Sequence, residues 1–260
     1  MDYFQAIVLG IVQGIAEWLP VSSKAMVTLA GHFLFGMGYK DAFGTAVWLH
    51  TGTLLASVVY FRDDLIRIAK SLIQKDSDKS LAIFLAITTV CTAIIAAPLM
   101  FIALNFEIPE SVFTILIGFF LLVIAFLHKN RKESKAEKDE ITVKNGLVAG
   151  IAQGLAGFPG LSRSGLTVAA LLSEDFPLKD ALRISFLMSI PVVFGVEMVL
   201  PVLKGGFSVS PEMVAGSIAA AIVGYATIKG LLSIVEKVNF FLATFVLGIL
   251  ILGLGIALLF

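Results

Sequence analysis

The sequence predicts an all-α polytopic membrane protein: six full transmembrane helices plus two re-entrant helix pairs, arranged as two inverted-topology repeats. Three observations carry that expectation. The 260 residues are 58% hydrophobic and only 15% charged, a composition outside the range of soluble domains. Uncharged runs at 81–106, 111–127 and 238–260 reach or approach the ~20 residues that cross a bilayer core as helix. Two further apolar stretches, 3–35 and 145–172, are each interrupted near the middle by Pro, Gly and Ser.

In chain order, full spans are expected at 42–61, 81–101, 111–128, 181–203, 212–235 and 240–260. The two interrupted stretches are too broken for one straight helix, and their halves are too short to cross separately. A helix pair that dips in and returns to the same side satisfies both constraints. Irregular backbone at that depth requires burial in protein or a wet cavity. The first apolar segment is expected to stay in the mature protein: no Lys or Arg precedes Lys24 and no small-residue cleavage site follows the apolar run.

Basic residues orient this arrangement. Segments 62–80, 129–144, 173–180 and 236–239 carry 13 Lys/Arg, whereas 32–41, 102–110 and 204–211 carry 2. By the positive-inside rule the first set is cytoplasmic and both termini lie outside, the expected site being the plasma membrane. The formal net charge is zero, which gives no electrostatic case for a nucleic-acid partner. The single cysteine, Cys91, sits in an apolar run and excludes a disulfide within the chain.

The interrupted stretches resemble each other. "IVQGIAEWLPVSSKAMVTLA" (11–30) and "IAQGLAGFPGLSRSGLTVAA" (151–170) share 6 of 20 residues at an offset of 140, and Asp41 and Asp180 repeat at 139. Repeat 1 is read as 1–128, a cytoplasmic linker as 129–144, and repeat 2 as 145–260. Three spans after each re-entrant pair is an odd number, so the repeats enter from opposite faces and their broken segments meet near the midplane. Asp41 and Asp180 read as N-caps.

Both interruptions carry chemistry. An arginine at bilayer depth costs ~2.5–3.5 kcal/mol or more and needs a partner there. Arg163, flanked by Ser162, Ser164, Gly165 and Thr167, offers a bidentate fork for phosphate oxygens beside close backbone N–H groups. The same arginine is also suited to holding helix-end carbonyls or pairing with Glu17. Opposite stand Glu17, Ser22, Ser23 and Lys24. They suit a phosphate site with a nucleophile, a base or metal ligand, and a charge clamp; Pro20 and the serines equally suit a helix cap, with Ser22 the better cap and Ser23 freer for chemistry. Gln13 and Gln153 are repeat mates. His50 is a buried histidine in the first full span, and Glu197 an acid within a later one.

"QGIAEWLPVSSKAM" and "FPGLSRSGLT" resemble the two motifs of the undecaprenyl-pyrophosphate phosphatase family, and "DAFGTAVWLHTGTLLASVVYFRDDL" (41–65) is similar to its next segment. The resemblance covers essentially the whole chain. It implies a membrane hydrolase that removes the terminal phosphate from a polyprenyl diphosphate. It further implies a divalent cation, Mg²⁺ or Ca²⁺, with Glu17 the candidate ligand, and a site open to the outer face. By position Glu17 matches a motif glutamate, Ser23 the nucleophile and Arg163 the diphosphate clamp. Ser22, Lys24, Ser162, Ser164, Gly165, Thr167, Gln13, Gln153 and His50 are expected around the substrate. The chain departs from the family at Gln13, where a glutamate stands, and at Lys24–Met26, where the motif closes on a histidine. Those departures keep open a polyprenyl-phosphate flippase of the same fold. Monomer and homodimer are both open.

Overall fold

The computed structural model describes residues 1–74, 78–105, 109–129, 141–158, 160–195, 209–234 and 239–259. The core of the expected linker, residue Pro159 of the second motif and Glu197 lie outside the described residues.

The expected break in each apolar stretch is present. Helix α1 (Tyr3–Ala16) and helix α2 (Ser23–Phe35) form the first pair, helices α7 (Val143–Leu155) and α8 (Arg163–Ser173) the second. Each pair starts on a capping box, Asp2 with Gln5 and Thr142 with Asn145. These residues continue the 140-residue offset, and each box satisfies two backbone donors that the first helical turn leaves bare.

The long helices are α3 (Tyr39–Tyr60), α5 (Ser80–Asn105), α6 (Glu110–Lys129), α9 (Leu178–Val193), α10 (Pro211–Ile234) and α11 (Phe240–Ala257). Five of them coincide with expected spans; α9 covers the first part of the span expected at 181–203, of which 196–203 lie outside the described residues. Three of them, α3, α5 and α10, are each long and apolar enough to cross a membrane. Large apolar side chains such as Phe4, Leu55, Ile94, Ile222 and Leu250 face outward, the surface a bilayer rather than water would cover. The chain is therefore a polytopic membrane protein whose regular secondary structure, among the described residues, is all helix.

One helix was not expected. Helix α4 (Arg62–Ile73) follows α3 directly and is amphipathic. Leu65 and Ile68 pack on the core while Arg62, Arg67 and Lys70 face away. The 3–4 residue spacing of those leucine and isoleucine positions is visible in the sequence, but the charge density of 62–80 reads first as a loop. Asp64 of α4 holds Arg183 of α9 in an ion pair, so this cation in an apolar stretch has an anionic partner.

Packing crosses between the two halves. Helix α1 lies along α10, and α7 lies along α5; α6 and α11 pair with each other. Gly10 makes the first contact possible, since a Cβ there would collide with the Gly216 carbonyl. Gly150, 140 residues later, does the same for α7, where a Cβ would sit 2.8 Å from the Cys91 Cβ. Cys91 is thus a small packing residue between helices. The main core gathers around Trp18 and Phe186, whose rings meet edge-on at 5.0 Å.

Two cap assignments need correction. Asp41 and Asp180 sit in the first turns of α3 and α9, whose N-cap positions are Gly38 and Pro177 without side-chain hydrogen bonds. At that position a carboxylate still opposes the helix dipole, which explains an acid there without a cap.

Candidate active site

The breaks 17–22 and 156–162 come together, and Ser164 Oγ donates to the Leu19 carbonyl at 2.7 Å, tying one to the other. Helix α2 begins at Ser23 and helix α8 at Arg163, so these two side chains, equivalent in the repeat, stand at the entrances of two half-helices. Between them is a cavity of about 90 Å³ lined by Glu17, Ser23, Lys24, His50, Ser162 and Arg163 among others. Helix N-termini and cations at one cavity make it receptive to an anion.

Glu17 is its hub and is 5% exposed. Oε1 accepts from the Arg163 guanidinium. Oε2 accepts from Ser23 Oγ at 2.6 Å and from Gln13 Nε2 at 2.8 Å, and lies 3.1 Å from His50 Nε2. Burying a carboxylate and an arginine is tolerable only with this density of partners. Arg163 has a further contact, Nη1 to the Ser185 carbonyl at 3.5 Å.

His50 arrives from the middle of α3. Its Nδ1 faces the Ala46 carbonyl at 2.7 Å, an acceptor only, so Nδ1 carries a proton. Nε2 then has two uses. As a neutral imidazole it can accept the Ser23 hydroxyl proton, 3.4 Å away, once that proton turns from Glu17 Oε2; as an imidazolium it donates to Glu17. A group that takes up a proton from a hydroxyl passes between just those states.

The expected residues divide clearly. Glu17, Ser22, Ser23, Lys24, His50, Gln153, Ser162, Arg163 and Ser164 line the cavity. Gln13 does not: one turn before Glu17, it stands behind the carboxylate with its amide between Glu17 and Thr53 Oγ1, 3.3 Å away. Thr167 does not either. A turn into α8, it donates to the Arg163 carbonyl at 2.8 Å and contacts Ser185 on α9. Gly165 serves packing, because a Cβ there would lie 2.8 Å from Ile124 Cγ2 on α6. Ser22 occupies the N-cap position of α2 but makes no side-chain cap bond; its φ is +58°, a left-handed conformation. Ser162 does cap α8, accepting from the Gly165 N–H at 3.2 Å.

Two threonines were missed. Thr53 steadies Gln13, and Thr92 Oγ1 accepts from Gln153 Nε2 at 3.1 Å. Thr53 lies three residues after His50 on the same helical face, a signal the sequence does carry. Nothing in the sequence marks Thr92, whose role depends on α5 crossing α7.

A divalent cation meets a poor donor set here. Among the described residues no group of three or more His, Cys, Asp or Glu is placed to hold one. Glu17 is the cavity's single carboxylate, both its oxygens are engaged, and Lys24 and Arg163 already supply positive charge. Mg²⁺ sites use one or two carboxylates plus substrate phosphates; Glu17 is the one carboxylate this cavity offers, and it would reach a cation only by loosening its contacts to Arg163 or Ser23.

The family profile described as bacitracin resistance protein BacA matches residues 6–255. An undecaprenyl-diphosphatase of Methanococcoides burtonii is 38% identical over 254 residues, 95% of this chain and 96% of the relative. Proteins of the same description from Methanothrix thermoacetophila and Sulfurisphaera tokodaii are 35% and 32% identical, with 97% and 95% of their lengths covered. With a profile match along nearly its full length and relatives this similar, the chain belongs to the bacitracin resistance protein BacA family.

Proposed function

We propose that this protein is an integral membrane phosphatase that removes the terminal phosphate from a polyprenyl diphosphate and so recycles the lipid carrier. One observation carries the mechanism: Ser23 Oγ is hydrogen-bonded to a buried glutamate that also holds Arg163 and faces His50. Arg163 and Lys24 bind the diphosphate oxygens. Ser23 Oγ attacks the terminal phosphorus, its proton passes to the Glu17–His50 pair, and the bond to the bridging oxygen breaks. The pair passes that proton to the departing polyprenyl monophosphate; it then takes a proton from water, which attacks phosphorus and releases phosphate, and returns the proton to Ser23 Oγ. No step is assigned to a metal ion; a cation bound to the diphosphate would enter with it.

The relatives named above are each called a diphosphatase, and the flippase reading finds no support among them. We place the protein in the plasma membrane as six spans with two re-entrant pairs, the charged linker cytoplasmic and both termini outside. The charge bias of the loops and the exchange of α1 and α7 between halves support two inverted repeats.

The test is a single turnover with substrate labelled in its terminal phosphate. Label recovered on Ser23 supports the covalent route, and turnover unaltered in Ser23→Ala overturns it.

A further inference from the structure

A second, apolar cavity of about 400 Å³ lies beside the candidate site, with walls from α3, α4, α5 and α9. It is wholly hydrophobic apart from Thr89. Both cavities touch both α5 and α9. On α5, Leu85 and Thr89 wall the apolar cavity, and Thr92 and Ala96 wall the site. The four positions follow one another at helical spacing and form one stripe. On α9, Pro191 faces the apolar cavity and its neighbour Val192 the site. The α5–α9 seam therefore has the polar chamber on one side and an open greasy groove on the other.

Comparison with its repeat mate explains why this seam is open. The mate is the α3–α10 contact, which is zipped shut. Trp48 Nε1 donates to the Met213 carbonyl at 3.2 Å, Thr51 meets Ser217 Oγ at 3.0 Å, and Gly52 lets the Ser217 carbonyl approach so closely that any Cβ would collide. At the 139-residue offset that relates Asp41 to Asp180, those three residues become Leu187, Ile190 and Pro191. All three line the groove. Both hydrogen-bonding side chains and the close-contact glycine are gone, and proline's ring adds bulk where the mate has none.

We propose that the α5–α9 seam is a lateral port for the lipid substrate: the polyprenyl tail lies in the apolar groove while the diphosphate passes between the helices into the Glu17–Arg163 chamber. This rests on the phosphatase reading for the identity of the headgroup. A long prenyl chain is the occupant that the geometry selects, because it must remain in hydrocarbon while its phosphates reach a chamber on the far side of α9.

The experiment compares undecaprenyl diphosphate with isopentenyl diphosphate, which is too short to reach the groove. Ala86 is exposed on the groove wall of α5, so Ala86→Trp fills the groove without disturbing a packed core. The ratio of kcat/KM for the long over the short substrate should fall at least tenfold in Ala86→Trp. It should not change in Ile222→Trp, on the exposed face of α10. An unchanged ratio in Ala86→Trp, or an equal fall in both variants, overturns the port. If the unsubstituted protein hydrolyses neither substrate, the phosphatase reading has failed. The port is then judged by photolabelling with a diazirine-tagged polyprenyl monophosphate. Label on α5 and α9 supports it, and label confined to other helices overturns it.

Discussion

Glu17 and Arg163 come from segments 146 residues apart, and each is the other's principal compensation for burial. Removing one charge leaves the other stranded, at about 3–5 kcal/mol for a buried pair. Glu17→Gln is therefore expected to lower the unfolding midpoint in detergent as well as abolish turnover. Arg163→Lys should not rescue either property, because a point charge cannot reproduce a guanidinium shared between carboxylate and carbonyl; full activity in Arg163→Lys would refute the shared-fork arrangement. At this scale the sequence named most of the chamber. Ser23, Glu17, Arg163 and their neighbours were legible because polar residues at bilayer depth have few innocent explanations. Thr167 and Gly165 are expected in the chamber from their place in the second motif and from the close approach a glycine backbone allows, and they stand outside its lining. The helical turn rotates Thr167 toward Ser185 and Gly165 toward Ile124. His50 carried its identity but not its geometry: only the fold shows Nε2 between Ser23 and Glu17.

Among the helices, the breaks were the readable feature and the seams were not. Pro, Gly and Ser in the middle of an apolar run announce a break between two short helices, and the helix boundaries fall there. Helix α4 was hidden by its charges, although its apolar spacing was present. Which seam closes and which opens depends on pairs of helices far apart in the chain, and so on residues such as Gly52 whose meaning needs a neighbour. Gly52→Val should overpack the α3–α10 contact and destabilise the protein by about 1–3 kcal/mol. Gly44→Ala, on the same helix with open space around its Cα, should be neutral or mildly stabilising. Thermal unfolding of the two variants in one detergent checks this, and equal effects would show that α3 and α10 are not in close contact.

The molecule as a whole joins two asymmetric halves around one polar cavity. Residues 1–128 bring Ser23, Glu17 and His50 to it; residues 145–260 bring Arg163, 140 positions after Ser23. Neither half holds the chemistry alone, which is why the crossed packing of α1 on α10 and α7 on α5 matters for function. The most direct test of that claim is phosphate release from undecaprenyl diphosphate by the purified protein, beside Ser23→Ala and Arg163→Ala, each with EDTA or Mg²⁺. The account predicts one phosphate released per lipid, leaving the monophosphate, and a fall of at least 10³-fold in either variant under both conditions. No release from the unsubstituted protein, or release undiminished in Arg163→Ala, would contradict it.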